Sequence, residues 1–190
     1  MSFNITGFRE AMRYDGQRPN LFDVTITTKG NIFSGEGLNM FAKGTSIPGS
    51  TMGVVIVPYF GREVKFAGNR TFAEWTVTVI NDENFAIRSQ LEKWMNSINK
   101  HNENVREAGL ENSDDYTSQA LVKQYSKDGS TGIIYTFQNI FPTDISEITL
   151  DWGDNDSIEE YTCTFAYDYW TRTSPNKTAG TGTVADELSI

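Results

Sequence analysis

Apolar and polar residues alternate along much of the chain, and this pattern predicts a mainly β fold. Between residues 161 and 170, bulky side chains and small or polar ones take turns at every second position. Only an extended strand places such alternating residues on opposite faces. A strand of this length is long for a small domain, so we expect a large sheet surface that needs a partner to cover it.

Shorter alternating runs predict further strands at 21–27, 63–66, 74–80, 133–141 and 147–152. An apolar run at 54–57 stops at Pro58, which lacks the N–H that a β ladder needs, so this run is expected at a sheet edge or a strand end. A turn is expected at 68–70. The strands at 147–152 and 160–170 flank a polar turn and are expected to form an antiparallel hairpin.

One helix is predicted over about 83–101. Apolar residues recur there at helical spacing and form a single stripe, and Asp82 or Asn84 can cap the first turn. The polar face is not especially basic, which argues against binding to a membrane surface. We therefore expect the helix to pack against a sheet through this stripe, whose members are Ile87, Leu91, Trp94, Met95 and Ile98.

Three segments lack a clear pattern. Residues 37–62 are glycine-rich and are interpreted as a long loop, which inside a compact domain usually has a function. Residues 102–131 are polar and acidic and are interpreted as a surface insertion, and residues 171–190 as a flexible C-terminal tail. The chain of 190 residues is thus expected to be one domain over 1–170 with this tail.

The composition narrows the class of protein. Hydrophobic residues make up 38% of the chain and charged residues 22%, as in a globular domain. No run approaches the roughly 20 apolar residues of a membrane helix, and nothing at the start marks export by a cleaved signal. The formal net charge of −9 argues against tight binding to nucleic-acid phosphates. The negative charge does not exclude a role near DNA, because an acidic protein surface repels DNA and lets it slide past.

Two residues occur once each, and both could in principle carry chemistry. Cys163 is the only cysteine, which excludes an internal disulfide and a cysteine-based zinc site; a buried strand position suits it best. His101 is the only histidine, and a catalytic triad would have to use it. It lies among polar residues at the expected helix end, where a cation is favourable next to the helix dipole.

An acidic cluster surrounds the predicted turn near residue 154. A calcium loop of the EF-hand type needs glycine at its sixth position and glutamate at its twelfth, and this segment does not match that pattern. A glycosidase pair is a further possibility that sequence cannot test. A solvated hairpin turn is the simplest interpretation of the cluster, which consists of Asp151, Asp154, Asp156, Glu159 and Glu160.

Several segments, taken in order, resemble one family. They are RPNLFDV at 18–24, TSIPGS at 45–50, VPYFGREVKFAG at 57–68, the strand at 72–81, the helix, and the closing run at 161–170. Together they resemble the tail tube protein of contractile-tailed bacteriophages, the myoviruses, over roughly residues 15–170. Each segment alone is weak, but the set in this order is specific.

The resemblance implies an antiparallel β-sandwich or partial barrel with one flanking helix. It also implies hexameric rings with a continuous inner β-barrel, stacked inside a contractile sheath as the conduit for DNA. The expected partners are further copies of this chain, the sheath, the baseplate and the tail terminator, with DNA passing through the lumen without specific binding. No cofactor, metal, catalytic residue or membrane anchor is expected, and the location is the virion, or the host cytoplasm during assembly.

Two sets of site residues follow from the resemblance and the strand pattern. The centre of the long loop is expected to reach the adjacent ring, because its few apolar groups have no obvious core in the same chain. This set consists of Thr45, Ser46, Ile47, Pro48, Gly49, Ser50 and Thr51. The polar face of the closing hairpin is expected to line the lumen, with Glu147, Thr149, Asp151, Thr162 and Thr164.

Two other functions stay open at this point. The same fold would serve as the tube of a type VI secretion system or of an extracellular contractile injection system. A carbohydrate-binding or hydrolytic β-sandwich would instead use carboxylates such as Asp154 and Glu159.

Overall fold

The computed structural model describes residues 4–12, 16–28 and 38–174. Of the predicted tail 171–190, residues 175–190 lie outside the described residues, whereas residues 171–173 belong to a strand and not to a flexible tail. Within them the helices and strands follow in the order α1 Ile5–Ala11, β1 Phe22–Thr28, α2 Leu38–Phe41, β2 Ala42–Thr45, β3 Ser50–Tyr59, β4 Arg62–Phe72, β5 Trp75–Ile80, α3 Ala86–Ile98, α4 Ser113–Tyr116, β6 Ser118–Tyr125, β7 Thr131–Ile145, β8 Glu160–Ala166 and β9 Tyr169–Thr173.

The strands form an antiparallel β-sandwich, as expected. The hydrogen-bonded order is β1-β6-β7-β8-β5-β2, and β9 also pairs with β7. The long strand β7 belongs to both layers, because Ile134–Gln138 pairs with β9 and Phe141–Ile145 pairs with β8. Between these stretches, Asn139 adopts a positive φ of 56°. A strand that bends from one sheet into the other is a common way to join two packed layers.

The core lies between the two layers and follows the predicted alternation. Val24 and Ile26 of β1 are buried, as are Trp75, Val77 and Val79 of β5. In β8 every second residue is buried, namely Tyr161, Cys163 and Phe165. The predicted strands at 21–27 and 74–80 are therefore confirmed, together with their inward faces.

Helix α3 covers the core through the predicted stripe. Ile87, Leu91 and Trp94 are buried, and the Trp94 indole nitrogen donates to the carbonyl oxygen of Tyr116 at 2.8 Å. The N-cap position is Phe85, which makes no side-chain cap, so neither expected residue holds that position; the Asp82 carboxylate nevertheless accepts a hydrogen bond from the Ala86 amide of the first turn at 3.0 Å. The helix is shorter than predicted at both ends.

The expected ten-residue strand at 161–170 is wrong as a single element. It consists of β8 and β9, separated by Tyr167 and Asp168. The two strands pair with different stretches of the bent β7, so the chain has to turn where β7 turns. The Asp168 carboxylate accepts a hydrogen bond from the Asn139 amide at 2.7 Å and fixes this corner.

The predicted strand at 147–152, and the hairpin that it was to form, are also wrong. In the described chain, β8 follows β7 with no further strand between them. Both edges of β8 are already taken, one by β5 and the other by β7. The alternating segment 147–152 therefore finds no free strand edge on β8 to pair with.

The segment 102–131, predicted to be a polar insertion, contains the central strand β6. Ser118, Ala120 and Val122 point into the core, and β6 lies between β1 and β7. Ser118 and Ala120 are small, and Ser118 is also polar, so this strand gives only a weak alternation of apolar and polar residues in the sequence.

Candidate assembly surfaces

A long β-hairpin occupies most of the segment expected to be a loop. Strands β3 and β4 pair only with each other among the described strands and form a separate two-stranded sheet. The hairpin continues the β2–β5 pair, and the Ala73 amide donates to the Gly49 carbonyl at its root, at 3.2 Å. Ten residues of extended strand span about 33 Å. The hairpin is therefore an arm that extends from the edge of the sandwich.

One face of this arm is wholly apolar near its middle. Val55 lies opposite Phe66, and Val57 lies opposite Val64. All four side chains are between 41% and 55% exposed. An isolated two-stranded hairpin is marginally stable in water, and contiguous exposed apolar surface marks an interaction site. The arm thus presents a surface suited to burial against another molecule.

The tip of the arm carries an aromatic side chain in a strained backbone position. Phe60 has φ 43° and Gly61 has φ 77°, as a type I′ turn requires. Asparagine or glycine usually occupies the first of these positions, and a bulky residue there is uncommon. The Phe60 ring is 92% exposed and packs edge-on to Tyr59, with ring centroids 4.7 Å apart.

The seven residues expected to form the stacking loop lie at the root of the arm. Thr45 belongs to β2, where its hydroxyl accepts a hydrogen bond from the Trp75 indole at 2.9 Å and donates to the Thr76 carbonyl at 3.1 Å. Pro48 is buried, so the expectation that this segment has no core to join is wrong for that residue. Ile47 is 36% exposed. Ser50 and Thr51 begin β3.

Threonines cover the outer face of the β5–β8 pair. Thr76 lies opposite Thr164, and Thr78 lies opposite Thr162. These residues alternate with the buried ones of both strands, so they point away from the core and are half-buried. Two of the five residues expected to line the lumen, Thr162 and Thr164, thus belong to one surface, which we call the threonine face.

The other three expected lumen residues lie elsewhere. Glu147, Thr149 and Asp151 belong to the irregular segment between β7 and β8 and are exposed. In this segment the Asp151 carboxylate accepts a hydrogen bond from the Gly153 amide at 2.8 Å, which closes a tight turn around Trp152. The Trp152 side chain is 100% exposed.

The acidic cluster is spread over different contacts. Glu160 forms an ion pair with Lys43 of β2, and the Glu159 carboxylate accepts a hydrogen bond from the Asn81 side-chain amide at 2.9 Å. In the part of the chain that the structure describes, no three His, Cys, Asp or Glu residues are placed to hold a metal ion. Two of the five carboxylates of the cluster are thus engaged with β2 and with the residue that follows β5.

The structure also shows the surroundings of Cys163 and His101, the only cysteine and the only histidine of the chain. Cys163 is buried in β8, and burial raises the pKa of its thiol well above the usual range. The His101 ring lies 2.7 Å from the Asn96 side-chain oxygen through Nδ1 and is exposed. Among the described helices, none has the length and apolar character needed to cross a membrane.

The sandwich with its flanking helix is a fold found in contractile injection machines. A chain in the tube-terminating cap of the anti-feeding prophage superposes with a TM-score of 0.62 and 15% identity, over 84% of this chain and 91% of that one. A chain in the sheath–tube complex of an extracellular contractile injection system has a TM-score of 0.58 and 16% identity, over 91% and 99%. At these identities the likeness concerns the fold.

Sequence comparison identifies the family. The phage tail tube protein family matches residues 17–173. The tail tube protein gp19 of Enterobacteria phage T4 is 34% identical over 158 residues, covering 82% of this chain and 91% of that protein. The tail tube protein of Serratia phage KSP90 is 28% identical over 168 residues, covering 86% and 93%. The chain belongs to the phage tail tube protein family.

The sequence marks the β3–β4 region as a distinct segment but does not show that it is a hairpin. The apolar run at 54–57 and the alternation at 63–66 are the two strands of the arm. The expected turn at 68–70 lies inside β4. Gly68 is needed there for another reason: a Cβ atom at this position would come within 3.1 Å of the Gly53 backbone. Gly61, between the apolar run at 54–57 and the alternation at 63–66, is the sequence signal that could locate the turn.

Proposed function

We propose that this protein is the structural subunit of the inner tube of a contractile phage tail. Its copies form rings, and the rings stack inside the sheath as the conduit for DNA. The observation that carries the proposal is the β3–β4 arm, a long hairpin with an exposed apolar face and no partner strand among the described residues. Membership in the tail tube family supports the same assignment.

Ring closure follows from the free edges of the sandwich. Among the described strands, β1 pairs only with β6, and β2 pairs only with β5. Unpaired edges favour association with further strands. A head-to-tail contact that closes on itself gives a ring and removes these edges. We propose six subunits per ring, as the resemblance to myovirus tubes implies, with strands of neighbouring subunits joined around the lumen.

Stacking of the rings is assigned to the arm and its root. The apolar face around Val55 and Phe66 is exposed in the subunit and would be buried in a stack. The contribution expected for Thr45–Thr51 stays a prediction, in which Ile47 is the exposed apolar group and the buried Pro48 holds the root in place.

The threonine face is the candidate wall of the lumen. Hydroxyl groups on a regular strand pair give DNA no cation to bind, and each phosphate contact by Lys or Arg would add salt-dependent friction. At −9 per chain, a ring of six carries about −54. We propose that Thr76, Thr78, Thr162 and Thr164 face the channel. A lumen position for Glu147, Thr149 and Asp151 stays a prediction, since these residues lie outside the threonine face, in the irregular segment between β7 and β8.

The remaining parts of the proposal concern partners and location. The protein acts without catalysis or a cofactor, and it meets the sheath, the baseplate and the tail terminator. Structures of similar fold come from a baseplate, a cap and a sheath–tube complex, which supports these partners. Assembly takes place in the host cytoplasm, and the product is part of the virion.

A tube of an injection system is the second candidate. Solved structures of that class share the fold at 11–16% identity. The phage relatives reach 34% identity over most of the chain, and this difference favours the phage tail. Genes for a sheath, baseplate and portal beside this gene would support the phage assignment.

The test is electron microscopy of the purified protein and two matched variants. Val55 in the arm and Val105 on the surface are 52% and 49% exposed. We expect wild type and V105D to form stacked rings, and V55D to remain as single rings or smaller species. A wild-type protein that stays strictly monomeric at high concentration and at several salt concentrations would contradict the proposal.

A further inference from the structure

The two most exposed large hydrophobic side chains of the described protein lie at the ends of two different projections. Phe60 at the tip of the β3–β4 arm is 92% exposed, and Trp152 in the turn between β7 and β8 is 100% exposed. Both are held in defined turns, Phe60 by the strained type I′ turn and Trp152 by the Asp151–Gly153 hydrogen bond. A strained backbone that exposes a bulky ring points to a functional role for that ring.

The two projections carry opposite charge. Near its tip the arm has Arg62 and Lys65, with Arg70 nearer its root and Glu63 as its only acid. The segment 147–159, which we call the acidic loop, has five carboxylates and no Lys or Arg. Among the described residues, neither Arg62 nor Lys65 lies within ion-pair distance of an acid, and neither Asp154 nor Asp156 lies within that distance of a base.

Both projections also carry apolar surface around their aromatic tips. Tyr59 beside Phe60 is 65% exposed, and Leu150 and Ile158 in the acidic loop are 79% and 70% exposed. No hydrogen bond, ion pair or ring contact of the described structure joins the arm to the acidic loop of the same chain. Each surface thus has no partner within the described chain. Each has an aromatic ring at its centre, and the cations around Phe60 are complementary to the carboxylates around Trp152.

We infer that the tip of the arm docks on the acidic loop of a second copy of this chain, with Phe60 against Trp152 and the arm's cations against the loop's carboxylates. This inference rests on the proposed function and names the surface that receives the arm. The contact joins two different patches, so it is head-to-tail and leaves one arm and one loop free after each addition. Such a contact extends a stack without limit, as a tube requires.

Charge reversal with compensation tests the pairing. The variants are Lys65→Glu, Asp154→Lys and the double variant K65E/D154K. Lys93→Glu on α3 and Glu107→Lys on the surface are the matched controls, because they make the same charge changes at exposed positions outside both surfaces. The readout is the fraction of protein in tubes, measured by sedimentation and electron microscopy at low salt.

We expect each single reversal in the pair to lower the tube fraction at least about threefold, and the double variant to recover to within about twofold of wild type. The two controls should match wild type. Unchanged assembly of both single variants, or a double variant as impaired as the singles, would overturn the inference while leaving the proposed function intact.

Disulfide trapping gives a second readout that does not depend on tube growth. Tyr59→Cys and Asn155→Cys proteins, which keep the Phe60 and Trp152 rings, are mixed under mild oxidation, and Cys163 does not interfere because it is buried. We expect a mixed dimer to form at least about five times faster than with a Val105→Cys partner in place of Asn155→Cys. Equal rates would overturn the docking site. A wild type that forms neither rings nor stacks would contradict the proposed function and this inference together.

Discussion

Trp75 of β5 stacks on Phe137 of β7, with ring centroids 4.7 Å apart and planes inclined by 16°. Both rings are fully buried. Trp75 belongs to the sheet that contains β8, whereas this part of β7 pairs with β6 and β9. The stack therefore joins the two layers of the sandwich at its centre. The Trp75 indole also donates to the Thr45 hydroxyl, which links the core to the root of the arm.

Truncation of this stack should destabilise the subunit strongly. We expect Phe137→Ala to lower the free energy of unfolding by about 3–5 kcal/mol, because it removes buried apolar surface and leaves a cavity. Urea denaturation at a protein concentration below assembly measures the change, since association would otherwise raise the apparent stability. Phe60→Ala is the control, because that ring is 92% exposed and its loss should change stability little. Equal losses for the two variants would contradict the fold.

Substitutions of two neighbouring residues at the root of the arm should affect folding and assembly differently. Pro48 is buried, so Pro48→Asp places a carboxylate where it loses water and should cost about 2 kcal/mol or more in folding stability. Ile47 is 36% exposed, so Ile47→Asp should lower the unfolding midpoint less than Pro48→Asp does, while it shortens the tubes. Urea denaturation and electron microscopy of both variants check this. Normal tube lengths with I47D would remove Ile47 from the stacking contact.

How far the sequence predicted this fold depended on the kind of residue that points inward. Strands β1 and β5 and helix α3 place large apolar residues such as Val24, Val77 and Leu91 in the core, and their periodicity was sufficient. Strand β6 places Ser118 and Ala120 there, and small or hydroxylic residues give a weak pattern. The bend between β8 and β9 depends on β7, a distant strand, so no local pattern reports it.

The candidate surfaces were predictable to a similar extent. Thr162 and Thr164 face away from the core because their neighbours Tyr161, Cys163 and Phe165 are strongly apolar. Glu147 and Asp151 alternate as well, but a strand also needs a free edge to pair with, and pairing is not encoded in one segment. Pro58 and several glycines interrupt the strand pattern of the arm, so its sequence predicts a loop. Pro58 fits into β3 because this strand pairs only with β4. The edge of β3 that faces away from β4 needs no backbone N–H for a hydrogen bond.

Cys163 should be inert in the folded protein. Burial raises the pKa of its thiol, so the reactive thiolate is scarce at neutral pH, and reagents have no access. We expect the reaction with a disulfide reagent at pH 8 to be at least about a hundredfold slower in native protein than in urea. Absorbance of the released thiol measures both rates. Rapid labelling of native protein would contradict the buried position in β8.

Stability should fall in alkali. Burial raises the pKa of Tyr167 from 10.0 to about 12, and its hydroxyl donates to the Ala73 carbonyl at 2.6 Å. The folded protein therefore keeps this proton at a pH where the unfolded chain has lost it. The associated stability is complete below pH 10 and is lost as the pH rises from 10 towards 12.

The control for this pH effect is Tyr167→Phe. Burial also raises the pKa of Tyr161 and Cys163, so part of the alkaline loss should remain in this variant. We expect the urea midpoint of the wild type to fall more steeply between pH 9.5 and 11.5 than that of Tyr167→Phe, because only the wild type carries the Tyr167 proton. Parallel curves for the two proteins would show that Tyr167 does not contribute.

The central claim is that copies of this chain build a hollow tube from stacked rings. Reconstruction of the purified, assembled protein by electron cryo-microscopy tests it most directly. We predict closed rings in which the β3–β4 arm contacts the adjacent ring and Thr162 and Thr164 face an open channel. A reconstruction without a channel, or one in which the arm lies free in solvent and makes no contact between copies, would contradict the account.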